Sequence, residues 1–192
     1  MLAHRERSNG CRLYSYSESR NTHNPSRRAV ELGLIIGKQG KDIPRSGALE
    51  YISGYFLGID MTSRTHQDEA KKKGLPWALA KGFDTFAPVS DGISKNKISD
   101  VQNVGLWLTV NGEKRQDGNT KDMIFDVATI ISYVSGIFTL EPGDCIFTGT
   151  PSGVGPVKPG DVMRAGIVDG KTNQEICTIE FAVEMRPLPA NL

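Results

Sequence analysis

Between positions 60 and 81, four kinds of polar side chain are spaced so that they could form one site. Asp60 ends an apolar, β-favouring run, and a carboxylate at the end of a buried strand must be paired, hydrogen-bonded or bound to a metal ion. Arg64, Gln67 and Lys71 then share one face of a short polar helix. Lys81 follows in a mostly apolar segment. Taken alone, the pattern also fits a solvated helix beside a structural acid.

The elements that would position these side chains have recognisable ends. The run at 55–59 predicts a buried strand. Ser63 can cap the polar helix, and Gly74 followed by Pro76 can stop it. Lysines fill the last turn of this helix, where its dipole favours positive charge. The stretch therefore predicts a strand, a short helix and a further segment that carries Lys81.

The rest of the chain predicts mostly strands. Asn111-Gly112 is a strong signal for a two-residue hairpin turn. A helix is predicted from Val127, with Asp126 as its cap and Gly136 closing it. Strands are predicted over 30–37, 105–110, 113–116, 145–148, 161–168 and 175–185. The sequence thus indicates a mainly β fold with few helices.

Composition limits the classes of protein that this chain can belong to. It has 192 residues and a net charge of +1, which suits one domain with a real core and gives no electrostatic footprint for nucleic acid or an acidic membrane. No apolar run is long enough to cross a bilayer. The three scattered cysteines suit a reducing compartment, and we expect Cys145 and Cys177 to be buried thiols.

Residues 1–28 differ in composition from residues 29–192, which we predict to form the functional domain. The first segment is rich in arginine and serine and has almost no aliphatic side chains, so a flexible segment is expected. An Arg/Ser-rich, acid-poor start also fits a mitochondrial transit peptide. A third interpretation is that residues 1–28 are an altered or incorrectly joined start of the protein sequence.

Two blocks of the sequence resemble the fumarylacetoacetate hydrolase superfamily, most closely its acylpyruvase branch, also described as oxaloacetate decarboxylase. The first runs from Asp60 through Asp-Glu-Ala-Lys-Lys-Lys-Gly-Leu-Pro-Trp to Lys81, and the second is Thr-Gly-Thr-Pro-Ser-Gly-Val-Gly at 148–155. The resemblance covers about Val30 to Pro187. It implies a mixed β-sandwich roll with few helices (α+β) that forms a homodimer.

The resemblance also implies a metal site. In the family, two glutamates two residues apart on one strand, with a later strand acid, chelate Mg²⁺ or Mn²⁺. Glu31 matches the second glutamate and Asp60 the later acid. The first glutamate falls on Ala29, which cannot be a ligand, and Arg27 and Arg28 stand where the family usually has histidines. Without the resemblance, Glu31 would be interpreted as an edge-strand acid that faces water.

The implied chemistry is C–C bond cleavage in small 2-oxo acids, by acylpyruvate hydrolysis or oxaloacetate decarboxylation, through a pyruvate enolate. Lys81 would place a positive charge near the developing enolate. Arg64 and Gln67 would orient the substrate, and Thr150 would hold its carboxylate. Without the resemblance, Lys81 would be an exposed loop lysine and the glycines around Thr150 would be ordinary turns.

Two alternative functions stay open. An oxaloacetate tautomerase or a related isomerase could use the same scaffold, because tautomerisation needs no attacking water. In the family, a histidine and a glutamate on an N-terminal lid activate that water, and residues 1–28 do not reproduce the lid pattern. The chain would then be truncated and catalytically impaired.

We expect a mitochondrial or cytoplasmic location and no nucleic-acid or membrane partner.

Overall fold

The apolar runs of the sequence form two β-sheets in a computed structural model, which describes residues 26–185 and the backbone of one earlier strand. The strands are β1 (Arg12–Ser15), β2 (Arg27–Ile36), β3 (Ile52–Thr62), β4 (Ile93–Ser94), β5 (Val104–Val110), β6 (Glu113–Asn119), β7 (Cys145–Phe147), β8 (Gly155–Pro156), β9 (Val162–Asp169) and β10 (Glu175–Met185). The α-helices are α1 (Arg64–Lys73), α2 (Ala78–Lys81) and α3 (Val127–Ile137). Short 3₁₀ helices occupy Arg45–Tyr51, Lys95–Lys97 and Thr120–Asp122.

Both sheets are mainly antiparallel. One has the strand order β1-β10-β9-β5-β6, and in it only the β1–β10 pair is parallel. The other has the order β4-β3-β2-β7, and β8 also pairs with β2. The long ladder between β2 and β3 is the centre of the second sheet. The prediction of a mainly β fold with few helices is confirmed.

The core lies between the two sheets. Side chains from one face of each sheet interlock there, and these include Leu32, Leu57, Leu108, Met163 and Ile167, all fully buried. Burying a side chain of this size stabilises the fold by about 1.5–3 kcal/mol. Strand β2 is buried on both faces along most of its length, so its outward face is covered as well.

The predicted strand and hairpin positions are confirmed, with shifted ends. Strand β2 begins at Arg27, earlier than predicted, because β8 and the end of β3 supply partners for its first residues. Asp60 lies inside β3, which continues to Thr62. Asn111 and Gly112 both have positive φ, at 53° and 80°, as a type I′ turn between antiparallel strands requires.

The two longer helices begin where predicted. Ser63 precedes α1, but its hydroxyl bonds to the His66 ring at 2.7 Å and makes no backbone cap bond. Asp126 does cap α3, since its side chain accepts a hydrogen bond from the Thr129 amide at 2.7 Å. Gly136 does not close α3, which continues to Ile137 because the Phe138 amide still bonds to a helix carbonyl.

Three other sequence-based expectations concern the cysteines, membrane-spanning segments and residues 1–28. Cys145 is exposed and Cys177 is partly exposed, so the prediction of buried thiols is wrong; the short strand β7 lies at a sheet edge and leaves Cys145 uncovered. No helix in residues 26–185 is long and apolar enough to cross a membrane. The predicted flexible segment 1–28 lies largely outside the described residues, which include β1 and the start of β2.

We expect the Asp126 cap to contribute measurably to stability. Asp126→Ala should lower the free energy of unfolding by about 1 kcal/mol, because the Thr129 amide loses its acceptor. Asp126→Asn should lower it less, since an amide oxygen can still accept that bond. Urea unfolding followed by circular dichroism measures both. Equal losses would show that the carboxylate charge beside Arg45, and not the cap, stabilises this region.

Candidate active site

The register between β2 and β3 places Glu31 and Asp60 on one face of the sheet. Asp60 stands directly opposite Ala29, and Glu31 lies two residues further along, opposite Gly58. Side chains two apart on a strand, and those opposite each other in a ladder, point to the same side. The face therefore presents two carboxylates with a small methyl group between them, at Ala29.

Glu31 is only 6% exposed, and aromatic rings pack over the neighbouring glycine positions on its face of the sheet. Phe56 and Phe147 meet edge to face, with ring centroids 5.2 Å apart. Two glycines make room for these rings: a Cβ at Gly33 would lie 2.0 Å from the Phe56 ring, and one at Gly58 would lie 2.5 Å from Phe147. Glu31 is thus a buried acid and not an edge-strand acid that faces water.

Burial raises the pKa of Glu31 to about 7. The Gly149 backbone amide opposes this by donating a hydrogen bond to Oε2 at 2.7 Å, which favours the charged form. The charge of Asp60 raises this pKa further, whereas that of Lys81 lowers it. Near neutral pH the carboxyl group is poised between its two protonation states.

Lys81 is the cation of the site. It ends helix α2, which is fastened to the end of β3 because the Ser63 amide donates to the Ala80 carbonyl at 2.9 Å. The Lys81 ammonium donates a hydrogen bond to Asp60 Oδ2. The two side chains are 26% and 17% exposed, so the ion pair is largely screened from water. Burial still raises the pKa of Asp60 above its usual value, although Lys81 opposes the shift.

The donor set fits a divalent cation in part. Asp60 Oδ1 is buried and has no hydrogen-bond partner among the described residues, an unfavourable state for a carboxylate oxygen that an ion would relieve. Glu31 and Asp60 supply hard oxygen ligands, which suit Mg²⁺ and Mn²⁺. Within residues 26–185 no group of three or more His, Cys, Asp or Glu side chains is placed to hold a metal ion, in agreement with Ala29 at the third position.

Arg64 and Gln67 are brought together in the first turns of α1, as their spacing predicts. Arg64 Nη1 donates to Gln67 Oε1 at 2.8 Å, and Arg64 Nε lies 3.3 Å from Asp68 Oδ1. Gln67 is buried, whereas Lys71 is exposed to solvent. The three residues share one face of α1, as predicted; Arg64 and Gln67 are hydrogen-bonded to each other, whereas Lys71 lies further along this face in solvent.

Thr150 is fixed to the centre of the sheet. Its hydroxyl donates to the Val30 carbonyl at 2.7 Å and accepts from Gln116 Nε2 at 2.8 Å. Two residues earlier, Thr148 donates to the Leu32 carbonyl at 2.9 Å. These bonds hold the 148–151 loop along β2, beside Glu31. While its proton is used in this way, the Thr150 hydroxyl has no donor left for a substrate carboxylate.

Gln116 is a residue that sequence analysis missed. It is 1% exposed, and its Oε1 accepts from the Val30 amide at 3.1 Å. Its Nε2 donates to Thr150 and also to the Pro151 carbonyl at 3.0 Å. It therefore ties β6 of one sheet to β2 and to the 148–151 loop. In the sequence it stands among exposed polar residues and carries no signal that separates it from them.

Comparison with known proteins places these residues in context. The family described as fumarylacetoacetate (FAA) hydrolase, C-terminal, matches residues 21–184. The chain is 56% identical over 146 residues to the mitochondrial oxaloacetate decarboxylase of Dictyostelium discoideum, an alignment that covers 76% of this chain and 67% of the relative. It is 54% identical over 149 residues to the human mitochondrial oxaloacetate tautomerase FAHD1, covering 78% and 66%. The chain spans about two thirds of the length of these relatives.

Solved structures show the same architecture. A fumarylpyruvate hydrolase from Pseudomonas aeruginosa in complex with Mn²⁺ and pyruvate is similar with a TM-score of 0.82 and 34% identity, covering 92% of this chain and 72% of that one. Yeast ynq8, a fumarylacetoacetate hydrolase family protein, gives a TM-score of 0.83 with 38% identity, covering 94% and 75%.

The buried Glu31 makes the stability of the cation-free protein depend on pH. Since its folded pKa lies near 7 and its ordinary value is 4.5, the protonated acid stabilises the fold below pH 4.5, and this contribution is lost as pH rises through 7. The loss amounts to about 3 kcal/mol. Glu31→Gln should not show it, because the amide cannot ionise and can still accept the Gly149 bond.

Urea unfolding of the parent and of Glu31→Gln, between pH 4.5 and 8 without divalent cation, measures this difference. We expect the two proteins to converge in stability at low pH and the variant to be the more stable one at pH 8. Parallel pH profiles would contradict a perturbed Glu31.

Proposed function

Because this chain belongs to the fumarylacetoacetate hydrolase family, we propose that it is an enzyme that cleaves a C–C bond of small 2-oxo acids through a pyruvate enolate. Oxaloacetate decarboxylation and acylpyruvate hydrolysis are the two reactions. The observation that carries the proposal is the pairing of Lys81 with Asp60 on the sheet face that also holds Glu31. This unit places one cation beside two carboxylates in a site largely closed to water.

Glu31 and Asp60 are the residues that would hold Mg²⁺ or Mn²⁺. A related hydrolase binds Mn²⁺ together with pyruvate, which supports a divalent ion here. When bound, such an ion supplies Lewis-acid stabilisation of the negative charge that develops on the 2-oxo oxygen. Glu31 must give up its proton before it can be a ligand, so we expect metal affinity to rise as pH passes through about 7.

Lys81 contributes the second positive charge. When the C–C bond to the leaving carboxylate breaks, its electron pair moves to carbon 3, and the charge is delocalised onto the 2-oxo oxygen. An ammonium fixed beside that oxygen stabilises the charge more strongly than water does, because the site is partly desolvated. Asp60 orients Lys81 through their hydrogen bond, and the link from α2 to the end of β3 fixes the helix that carries it.

Three other residues are proposed to bind the substrate. Arg64 and Gln67 form one hydrogen-bonded unit at the start of α1, close in sequence to the end of β3, and would orient the 2-oxo acid. Thr150 would act through its backbone N–H in the glycine-rich 148–155 loop, because its hydroxyl is occupied by Val30 and Gln116. Backbone amides of such loops are suited to carboxylate groups.

Tautomerisation of oxaloacetate is the second candidate function. It is favoured by the relatives named oxaloacetate tautomerase, which are up to 55% identical to this chain. Both reactions need charge stabilisation at the 2-oxo oxygen, so Lys81 would serve either. Pyruvate release measures decarboxylation, whereas loss of the enol absorbance without pyruvate release measures tautomerisation. The impaired-chain interpretation rests on Ala29 and on the missing lid pattern, and the second of these concerns residues 1–28, which lie largely outside the described residues.

We also propose a homodimer located in mitochondria. The relatives are named as mitochondrial proteins. Large apolar side chains are exposed on and beside α3, with Ile124 93% exposed, and a surface of this kind favours association with a second copy. The exposed residues there are Ile124, Phe125, Tyr133, Ile137 and Phe138.

Replacing Lys81 should lower the rate of the reaction. Lys81→Met keeps the length of the side chain and removes its charge, so we expect kcat for oxaloacetate decarboxylation to fall by about 100-fold or more. Pyruvate release at saturating Mg²⁺ is the measurement. Lys73→Met is the matched control, because Lys73 is an exposed lysine in the last turn of α1, and its rate should not change. Full activity of Lys81→Met would overturn the assigned role.

Restoring an acid at Ala29 should strengthen the metal site. Ala29 faces Asp60 directly, so Ala29→Glu adds a third carboxylate, and Mg²⁺ affinity should rise by roughly tenfold, the equivalent of about 1.4 kcal/mol. Any decarboxylation should rise as well. Without cation the three acids repel, so the melting temperature should become more dependent on Mg²⁺ than in the parent.

Ala29→Gln has the same size without the charge and is the control for this prediction. Calorimetric titration of Mg²⁺ and thermal melts with and without Mg²⁺ measure the two effects. If Ala29→Gln tightens Mg²⁺ as much as Ala29→Glu does, the carboxylate is not the cause and the predicted ligand set is wrong.

A further inference from the structure

A second polar cleft lies where β2 meets the β5–β6 hairpin and the loop that contains β8. It has a volume of about 570 Å³ and is lined by Arg28, Lys114, Arg115 and Lys158, together with Asp161 and backbone of the 153–156 segment. The proposed function uses none of these side chains. Arg28 is the innermost of the cations, since it is 2% exposed.

Arg28 is buried without an acidic partner. Within residues 26–185 no carboxylate forms an ion pair with it, and its neighbours are neutral oxygens or another cation. Burial, followed by the charge of Arg115, lowers the pKa of Arg28 to about 10. A guanidinium taken out of water is costly unless a negative group compensates it. The guanidinium therefore has no ion-pair partner within residues 26–185, although Asp161 lines the same cleft.

Within the described residues, one nitrogen of the Arg28 guanidinium, Nη1, donates all of its hydrogen bonds. Nη1 donates to the Gly153 carbonyl at 3.0 Å and to Gln116 Oε1 at 3.4 Å. Nε is buried, and within residues 26–185 neither Nε nor Nη2 makes a hydrogen bond. Nε and Nη2 together form the parallel two-donor edge that binds carboxylate and phosphate groups in a bidentate manner.

Two glycines shape the wall beside this edge. Gly153 has a φ of +96°, and a Cβ there would lie 2.1 Å from the Arg115 carbonyl, so only glycine lets its own carbonyl approach Arg28. A Cβ at Gly155 would lie 3.4 Å from Arg28 Nη2. The absence of a side chain at Gly155 leaves the Nη2 side of the guanidinium uncovered.

The other charges of the cleft favour an anion. Lys114 and Arg115 make only exposed ion pairs, with Asp117 and Glu113, and such pairs are weak and exchange readily. Lys158 forms no ion pair with a described residue. Asp161 is the opposing charge in the lining; it is fixed in place by the Asn111 side chain and the Lys158 backbone amide, both 2.9 Å from its oxygens, and four cations outweigh it.

The cleft is separate from the candidate active site. Neighbouring residues on a strand point to opposite faces, so Arg28 lies on the other side of β2 from Ala29 and Glu31. Gln116 lies on the Arg28 side of β2, and its side chain also bonds to Thr150 of the candidate active site. A substitution of Gln116 would therefore disturb both sites.

We propose that this cleft is a second binding site, in which the Nε–Nη2 edge of Arg28 binds the carboxylate or phosphate group of a small ligand and Lys114, Arg115 and Lys158 attract it. We expect a dianion such as phosphate to bind more tightly than a monoanion, because several cations line the cleft. The proposal does not depend on the reaction assigned to the Glu31–Asp60–Lys81 site.

The test uses inorganic phosphate and, in a parallel arm, acetate, titrated into the cation-free protein at constant ionic strength with chloride as the balancing anion. Calorimetry gives the affinity, and the Arg28 Nε–Hε resonance in ¹⁵N NMR spectra reports the contact directly in the parent protein. We expect this resonance to shift as Nε gains an acceptor. Binding in the phosphate arm alone would assign a phosphate group, and binding in the acetate arm a carboxylate.

Matched variants locate the site. Arg28→Met should weaken binding by at least about tenfold, since two charge-assisted hydrogen bonds are lost. Lys158→Ala should weaken it by about threefold, as expected for an exposed charge. Lys171→Ala, which removes one exposed charge from the β9–β10 turn, should leave it unchanged, and so should Lys81→Met at the other site.

Three outcomes would overturn the proposal. They are an Arg28 Nε–Hε resonance that neither anion moves, a loss of binding in Lys171→Ala equal to that in Arg28→Met, and a loss of binding in Lys81→Met. Should Arg28→Met fail to fold, Arg28→Lys keeps the charge without the two-donor edge, and the resonance of the parent decides the question without any variant.

Discussion

Burial of two carboxylates on one face of the β2–β3 ladder is the constraint on which the site depends. The register puts Asp60 opposite Ala29 and Glu31 opposite Gly58, and a shift of β2 by one residue would turn Glu31 to the core face and leave Asp60 without it. Burial of Glu31 then raises its pKa to about 7. Lys81 compensates only Asp60 directly. The two carboxylates outnumber the single ammonium group of Lys81, so this face is suited to a divalent cation and, once that cation is bound, to an anionic substrate.

The second constraint is the connection between the two sheets. Gln116 of β6 bonds to the Val30 amide of β2, to Thr150 and to the Pro151 carbonyl, so a single amide side chain sets the distance between a strand and a loop far apart in sequence. The same loop delivers the Gly149 amide to Glu31. The 148–151 loop, which we propose binds substrate, and the buried acid are therefore positioned together by the same set of hydrogen bonds.

Strand β2 separates two polar environments. Ala29 and Glu31 face the candidate active site, whereas Arg28 and Val30 point towards Gln116 and the interior between the sheets. Because successive residues alternate sides, a change at one position of this strand affects one environment and leaves the other in place. This alternation is why the proposed metal site and the Arg28 cleft can be tested independently, although Arg28 and Ala29 are neighbours in the chain.

The sequence by itself determined the elements whose signals are local. Period-two and apolar runs predicted the strands, Asn111-Gly112 predicted the hairpin, and Asp126 marked the start of α3. The family resemblance predicted the residues of the candidate site, including Ala29 in place of an acid. Only the tertiary structure decided how deeply Glu31 is buried, that Gln116 joins the two sheets, and that Cys145 is exposed. These properties depend on which distant segments cover a side chain or accept its hydrogen bonds, and no spacing along the chain encodes that.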